Sequence, residues 1–110
     1  MIKTESIIRI NRKHGGVLIN RGNLEFAVDA ANSEGNIYRS NAHLLRGIIQ
    51  NHPFSDGNKS TASEIVLGRF SKRGIDCDKE PFERGMVRLA RENNTPLIKI
   101  EGRLRKWCRR

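Results

Sequence analysis

Cysteine is scarce in this chain, which has only Cys77 and Cys108 among its 110 residues. Two cysteines are too few for the disulfide framework of a small secreted domain, and these two lie in no metal-ligand spacing. The sequence therefore predicts reduced thiols, which are usual in cytoplasmic proteins.

Long apolar runs are absent as well. Those at residues 47–49 and 65–67 are far shorter than the roughly 20 residues that a membrane-spanning helix needs. The N-terminus carries no apolar signal region, so we expect a cytoplasmic protein with no membrane contact.

Acidic residues are few relative to basic ones, with 12 Asp and Glu against 21 Lys and Arg and a formal net charge of +9. This surplus indicates a polyanionic partner, which is a nucleic acid, a phosphorylated ligand or an acidic protein. The basic segment at residues 103–110 either contacts RNA or DNA or forms a solvated helix face with Trp107 packed inward. We favour the second interpretation, so nucleic acid is not the favoured partner.

The length suits one domain, residues 1–110, with one modest core. Apolar residues recur at the 3.6-residue period in segments separated by glycine or proline. The predicted class is all-α, a compact bundle of about six helices near residues 4–13, 23–31, 37–51, 58–72, 81–92 and 98–108. Near residues 15–22, glycines bracket a β-prone stretch that we expect to form a short exposed flap.

The polar stretch HPFSDGNKST, residues 52–61, separates two apolar helices. A helix beginning at Asn58 would point its unpaired N–H groups into this loop, which favours a bound phosphate. Asp56 offers an oxygen ligand for Mg²⁺, and the imidazole of His52 can accept a proton near neutral pH. With Lys59 adding positive charge, these residues together predict group transfer from a nucleoside triphosphate to a hydroxyl.

This stretch resembles the signature of the Fic/Doc superfamily, which reads His-x-Phe-x-acid-small-Asn-Gly/Lys-Arg at the start of a helix. The matching residues are His52, Phe54, Asp56, Gly57, Asn58 and Lys59. Lysine in place of the second glycine is similar to the death-on-curing (Doc) branch. Helix lengths, the flap and the total size extend the resemblance over nearly the whole chain.

The resemblance implies a site and a reaction. His52 would deprotonate a hydroxyl of a target protein, and Asp56 would hold Mg²⁺. The phosphates of ATP would contact four consecutive residues, Gly57, Asn58, Lys59 and Ser60. The target peptide would be held as an added strand by the flap residues Val17, Leu18, Ile19 and Asn20. Fic members typically transfer AMP, whereas Doc-type toxins resemble kinases that modify a translation elongation factor, and the second activity is the predicted one.

Ser60 departs from the signature, because the family has arginine there, and Ser63 stands where Fic members often have a second arginine. Arginine presents a planar fork of donors to phosphate, whereas serine offers one hydroxyl, so we expect impaired transfer. Arg69 would substitute only if it pointed toward the ligand, and we expect it to cover the helix surface. AMP transfer and a non-catalytic basic binding module are the alternatives.

Many Fic proteins restrain themselves with a helix that carries Ser/Thr-x-x-x-Glu-Gly/Asn. Three glutamates in this chain precede Gly or Asn, namely Glu34, Glu92 and Glu101. None of them has Ser or Thr four residues earlier. We therefore expect no self-inhibition, and control in trans by an antitoxin segment that folds onto the basic surface.

Overall fold

The computed structural model describes residues 1–110, and its helices follow the predicted segments closely. Helix α1 spans Thr4–Lys13, α2 spans Arg21–Asn32 and α3 spans Ile37–Leu45, and a π-helical turn at Arg46–Gln50 continues α3 toward the polar loop. Beyond that loop, α4 spans Asn58–Lys72, α5 spans Lys79–Arg91 and α6 spans Leu97–Trp107. Two very short strands, β1 (Asp76–Cys77) and β2 (Cys108–Arg109), pair antiparallel. The predicted all-α class with six helices is confirmed.

Side-chain caps and a glycine account for several helix boundaries. Asn20 caps α2, because its side-chain oxygen accepts the N–H of Asn23 at 2.9 Å. The predicted start of this helix at Asn23 is therefore wrong, and the helix begins two residues earlier. Asn36 caps α3 in the same way, and α4 ends just before Gly74, whose φ of +71° is the left-handed conformation predicted for it.

The core forms around α3 and its π-helical turn, which pack against α2, α4, α5 and α6. Leu44, Leu45 and Ile48 lie at the centre and are completely buried. Gly47 lies so close to α2 that a side chain at this position would collide with Ala27. The turn that leads into the polar loop is thus held tightly within the core. None of the helices is long and apolar enough to span a membrane.

The basic C-terminal segment is packed and largely paired. Trp107 lies edge-on against Phe82, with ring centroids 6.3 Å apart, as its predicted inward packing requires. Of the five cations in this segment, three pair with acidic side chains: Arg103, Arg105 and Arg109. Trp107 and these ion pairs form the helix face that the sequence predicts. The absence of a nucleic-acid contact stays a prediction.

The prediction of reduced thiols is wrong for this structure, because Cys77 and Cys108 form a disulfide. Strands β1 and β2 place the two residues directly opposite each other. The disulfide closes a loop that contains both α5 and α6, with a sequence separation of 31. The pairing depends on contact between the α4–α5 connection and the end of the chain, which the spacing in sequence does not reveal. The predicted cytoplasmic location stays a prediction.

Replacing both cysteines by serine is expected to lower the free energy of unfolding by about 2–4 kcal/mol, because the unfolded chain regains the freedom of an open loop. Urea denaturation of the double variant and the parent protein checks this. Before reduction, the intact mass of the parent should be two hydrogens lower than after it, while the serine variant shows no change. An unreduced parent with the mass of the free dithiol would contradict the pairing.

Candidate functional site

The flap and the buried Phe54 fix the path of the polar loop. Leu18 of the flap forms an antiparallel bridge with Phe54, and the Ile19 N–H donates to the Pro53 carbonyl at 2.8 Å. The Phe54 side chain is buried in the core. The loop is therefore anchored by a backbone ladder on one side and by an apolar side chain on the other.

Asn11 of α1 holds the same loop through side-chain hydrogen bonds. Its buried Nδ2 donates to the Asp56 carbonyl at 2.9 Å and to Thr61 Oγ1 at 3.1 Å. Gly57 has a φ of +72°, and a Cβ there would lie 2.8 Å from the His14 carbonyl, so the close approach of α1 requires glycine. Sequence reasoning missed Asn11. The signal that could have found it is a polar residue on the buried face of an amphipathic helix.

Asn58 closes the loop with its side chain. Its Oδ1 accepts the Phe54 N–H at 3.1 Å, and its Nδ2 donates to the Phe54 carbonyl at 2.9 Å. The side-chain amide of Asn58, which the sequence predicts to bind phosphate, therefore bonds to Phe54 instead. The backbone N–H of Asn58 remains available to a ligand. The N–H groups of Asn58, Lys59 and Ser60 have no acceptor within the protein, as expected for the first turn of a helix.

His52 lies where the π-helical turn meets the loop, and its φ is +46°. A non-glycine residue in this left-handed conformation is uncommon, and such strain is concentrated at functional sites. The peptide before His52 and the peptide after Pro53 are held, because Asn23 Nδ2 donates to the Asn51 carbonyl at 3.0 Å and the Pro53 carbonyl accepts two flap N–H groups. The exposed imidazole is thus presented on a firmly held backbone.

These contacts bring the predicted site residues together in one cleft of about 330 Å³. Its lining includes His52, Asp56, Gly57, Asn58, Lys59 and Ser60, with Ile49, Ser55 and Ala90 completing it. A neighbouring cavity of about 450 Å³ between α4 and α5 shares Lys59 and Ser60 and has an apolar wall that includes Leu67 and Val87. Asp56 is the only acidic residue in the first cleft, and no arginine lines either cavity.

The flap presents an open backbone edge beside this cleft. Val17 and Ile19 are 66% and 65% exposed, while Leu18 packs against the core. The N–H and C=O of Leu18 make no hydrogen bond within the protein. Asn20 differs from the other flap residues because its side chain caps α2. An extended peptide could therefore add to the flap as a strand by bonding to the free N–H and C=O of Leu18.

Arg69 lies outside the cleft. Its Nη1 donates to Asn41 Oδ1 at 2.7 Å, toward α3 and away from the start of α4. The Ser60 hydroxyl lines the cleft without a partner in the protein. The structure thus supplies no substitute for the arginine that the family signature carries at position 60.

Nearby charges tie α1 to α4 rather than entering the cleft. Glu64 of α4 binds Lys13 at 2.8 Å and His14 at 3.0 Å. Hydrogen bonds from these two residues hold the pKa of Glu64 below its usual value. No cluster of three or more His, Cys, Asp or Glu side chains could hold a metal ion by itself. A divalent ion at Asp56 would therefore need further oxygen ligands from a bound phosphate or from water.

The sequence model of the Fic/DOC family matches residues 5–67, which is more than half of the chain and extends from α1 into α4. No curated protein and no solved structure shows a significant match. The chain belongs to the Fic/Doc family. Members of this family generally transfer nucleotide or phosphate groups to proteins and typically use ATP with Mg²⁺.

Asn11→Ala is expected to lower the free energy of unfolding by about 1–3 kcal/mol, because the buried Thr61 hydroxyl and the partly buried Asp56 carbonyl lose their only side-chain donor. Urea denaturation followed by circular dichroism measures the change. Arg12→Ala is the matched control, because Arg12 is the next residue of α1, is exposed and makes no hydrogen bond with its side chain. Equal stability of the two variants would show that Asn11 does not support the loop.

Proposed function

We propose that this protein is a Doc-like toxin enzyme that transfers phosphate from ATP to a hydroxyl of a target protein, with a rate impaired by Ser60. The observation that carries this proposal is the shared cleft, in which His52 and Asp56 line the same cavity as the first turn of α4. A proton acceptor, an oxygen ligand and anion-binding backbone groups are the components that phosphoryl transfer requires.

His52 acts as the base in this proposal. Its imidazole lines the cleft that also holds the free N–H groups of α4, so a hydroxyl bound between them can lose its proton to His52 as it attacks a phosphate. The flap supports the target peptide, because the Leu18 backbone offers one unpaired N–H and one unpaired C=O. The exposed Val17 and Ile19 side chains add apolar contact with that peptide.

The phosphates of ATP bind at the start of α4. Three unpaired N–H groups and the Lys59 ammonium, which has no acidic partner, supply donors and positive charge. Asp56 accepts the Gly57 N–H with Oδ1 at 2.7 Å and leaves Oδ2 free for Mg²⁺. One carboxylate together with substrate phosphates is the usual protein environment of Mg²⁺, which when bound neutralises phosphate charge. The apolar wall of the neighbouring cavity, which includes Leu67 and Val87, suits the adenine and ribose of ATP.

Ser60 is the weak point of this site. Because neither cavity contains arginine, Lys59 and backbone N–H groups are the only protein groups that stabilise the charge developing on the transferred group. The same observation favours the alternative of a non-catalytic binding module. AMP transfer is the other alternative, because the positions of the cleft and the adjoining cavity do not favour one orientation of the nucleotide over the other.

Control in trans by an antitoxin fits the charge distribution. Eight of the 21 Lys and Arg side chains form ion pairs with carboxylates, so 13 lack an acidic partner. An acidic antitoxin segment would be attracted to this surface. A translation elongation factor is the target that the Doc-type resemblance suggests.

Incubation with labelled ATP and a cell extract tests the activity. We expect slow transfer of label from γ-labelled ATP to an extract protein, no transfer from α-labelled ATP, and none from either nucleotide with His52→Ala. The matched control is Asn94→Ala, because Asn94 is the other non-glycine residue with positive φ and lies outside the cleft. Transfer from the α position would instead support AMP transfer, and full activity of His52→Ala would contradict its role as base.

Ser60→Arg is expected to raise the rate of transfer by about 10³-fold, because the planar fork stabilises the transferred phosphoryl group. Expression of this variant should inhibit host growth, and adding His52→Ala should relieve the inhibition. Ser60→Gln, which adds length without charge, is the control and should leave the rate low. If Ser60→Arg changes neither transfer nor growth, the binding module becomes the better interpretation.

A further inference from the structure

A cavity of about 190 Å³ lies at the C-terminal end of α4, roughly 20 Å along that helix from the cleft described above. Its lining consists of six residues, Met1, Ile2, Ile37, Arg69, Lys72 and Arg73. Three of these are basic and none is acidic. The cavity shares no residue with the cleft that contains His52.

Hydrogen-bond donors outnumber acceptors around this cavity. A guanidinium has five N–H donors, and Arg69 uses one of its nitrogens, Nη1, in a bond to Asn41 within the protein. The side chains of Lys72 and Arg73 make neither a hydrogen bond nor an ion pair. The contrast with Arg103, which binds Glu92 through both terminal nitrogens, shows how the same chain neutralises a guanidinium elsewhere.

The charge of Arg69 is poorly compensated. Burial, followed by repulsion from Arg73, lowers the pKa of Arg69. Asn41, which supplies its only acceptor, is a neutral amide that is itself completely buried, and its Nδ2 has no hydrogen-bond partner. A partly buried cation with a neutral partner is stabilised by a nearby anion.

The other walls are ordered and favour negative charge. Ile37 lines the cavity as the first residue of α3, and its N–H is the one N–H group of that capped helix end without an acceptor in the protein. The backbone of Ile2 is held by Asn32, which accepts the Ile2 N–H at 3.0 Å and donates to the Ile2 carbonyl at 2.9 Å. The cavity is therefore bounded by two helices and a fixed extended segment.

We propose that this cavity binds the phosphate group of a small ligand, held by Arg69, Lys72 and Arg73. Its volume admits one phosphate and a few waters, each of about 30 Å³. The site is separate from the proposed transfer reaction and does not depend on it. The competing explanation is that these cations only complement the dipole at the end of α4, which needs no ligand.

Amide NMR spectra recorded during titration with inorganic phosphate, at an ionic strength held constant with chloride, test the proposal. We expect shifts at Ile37 and at residues 69–74, separate from any shifts at residues 57–61 in the first cleft. Arg73→Gln and Lys72→Gln should each weaken phosphate binding at this cavity by about tenfold, because a charge-assisted contact is lost. Both residues are exposed, so their replacement should leave the fold intact.

Lys99→Gln is the control, because Lys99 is an exposed cation of α6 without an acidic partner and lies outside the cavity. Titration with AMP and with phosphoserine shows which kind of phosphate monoester the cavity prefers, and tighter binding of either supports the proposal. Equal shifts with chloride alone, or equal binding by Arg73→Gln and the control, overturn it. A polynucleotide that shifts basic residues over the whole surface without preference for this cavity also overturns it. Shifts confined to residues 57–61 would contradict this inference and leave the proposed function standing.

Discussion

Burial of Phe54 is the constraint on which the geometry of the site depends. Its side chain is embedded in the core, and both of its backbone polar groups bond to the Asn58 side chain. A loop held at its middle in this way places His52, two residues before Phe54, and Asp56, two residues after it, at the same cleft. Because Leu18 forms a bridge with Phe54, the flap is fixed to the same residue as the loop that carries His52 and Asp56.

The C-terminal third of the chain, which lies outside the family match, holds the π-helical turn that precedes His52. Gln50 of the π-helical turn donates to the Leu89 carbonyl at 3.1 Å and to Thr95 Oγ1 at 2.7 Å. Hydrogen bonding from Arg103 lowers the pKa of Glu92 to about 2, which keeps this carboxylate ionised and ties the end of α5 to α6. The disulfide then closes the same region covalently. The turn before His52 is thus held by helices that contribute little to the cleft surface itself.

Helix α4 presents different chemistry at its two ends. Its first turn offers unpaired N–H groups to the cleft, and its last turns carry cations that face no carboxylate. Arg69 belongs to the second end, and its bond to Asn41 removes it from any role at the first. Because Ser60 occupies the position of the family arginine, Lys59 is the only lysine or arginine at the proposed transfer site. Family membership therefore rests on the sequence match over residues 5–67, while the proposed transfer lacks the arginine of the family signature.

The sequence by itself determined the all-α class, most helix boundaries and six of the nine residues that line the cleft. Helix periodicity, prolines and glycines act between residues close in the chain, and the residues from His52 to Ser60 are nearly consecutive, so local rules suffice for both. The tertiary structure alone decided that Asn11 supports the loop, that Asn58 closes it with its side chain, and that Arg69 turns toward α3. It also decided that Cys77 and Cys108 pair. Most of these contacts join residues that are distant in sequence, and each forms only after the core has packed and set the distance between two elements, which no local pattern of residues encodes.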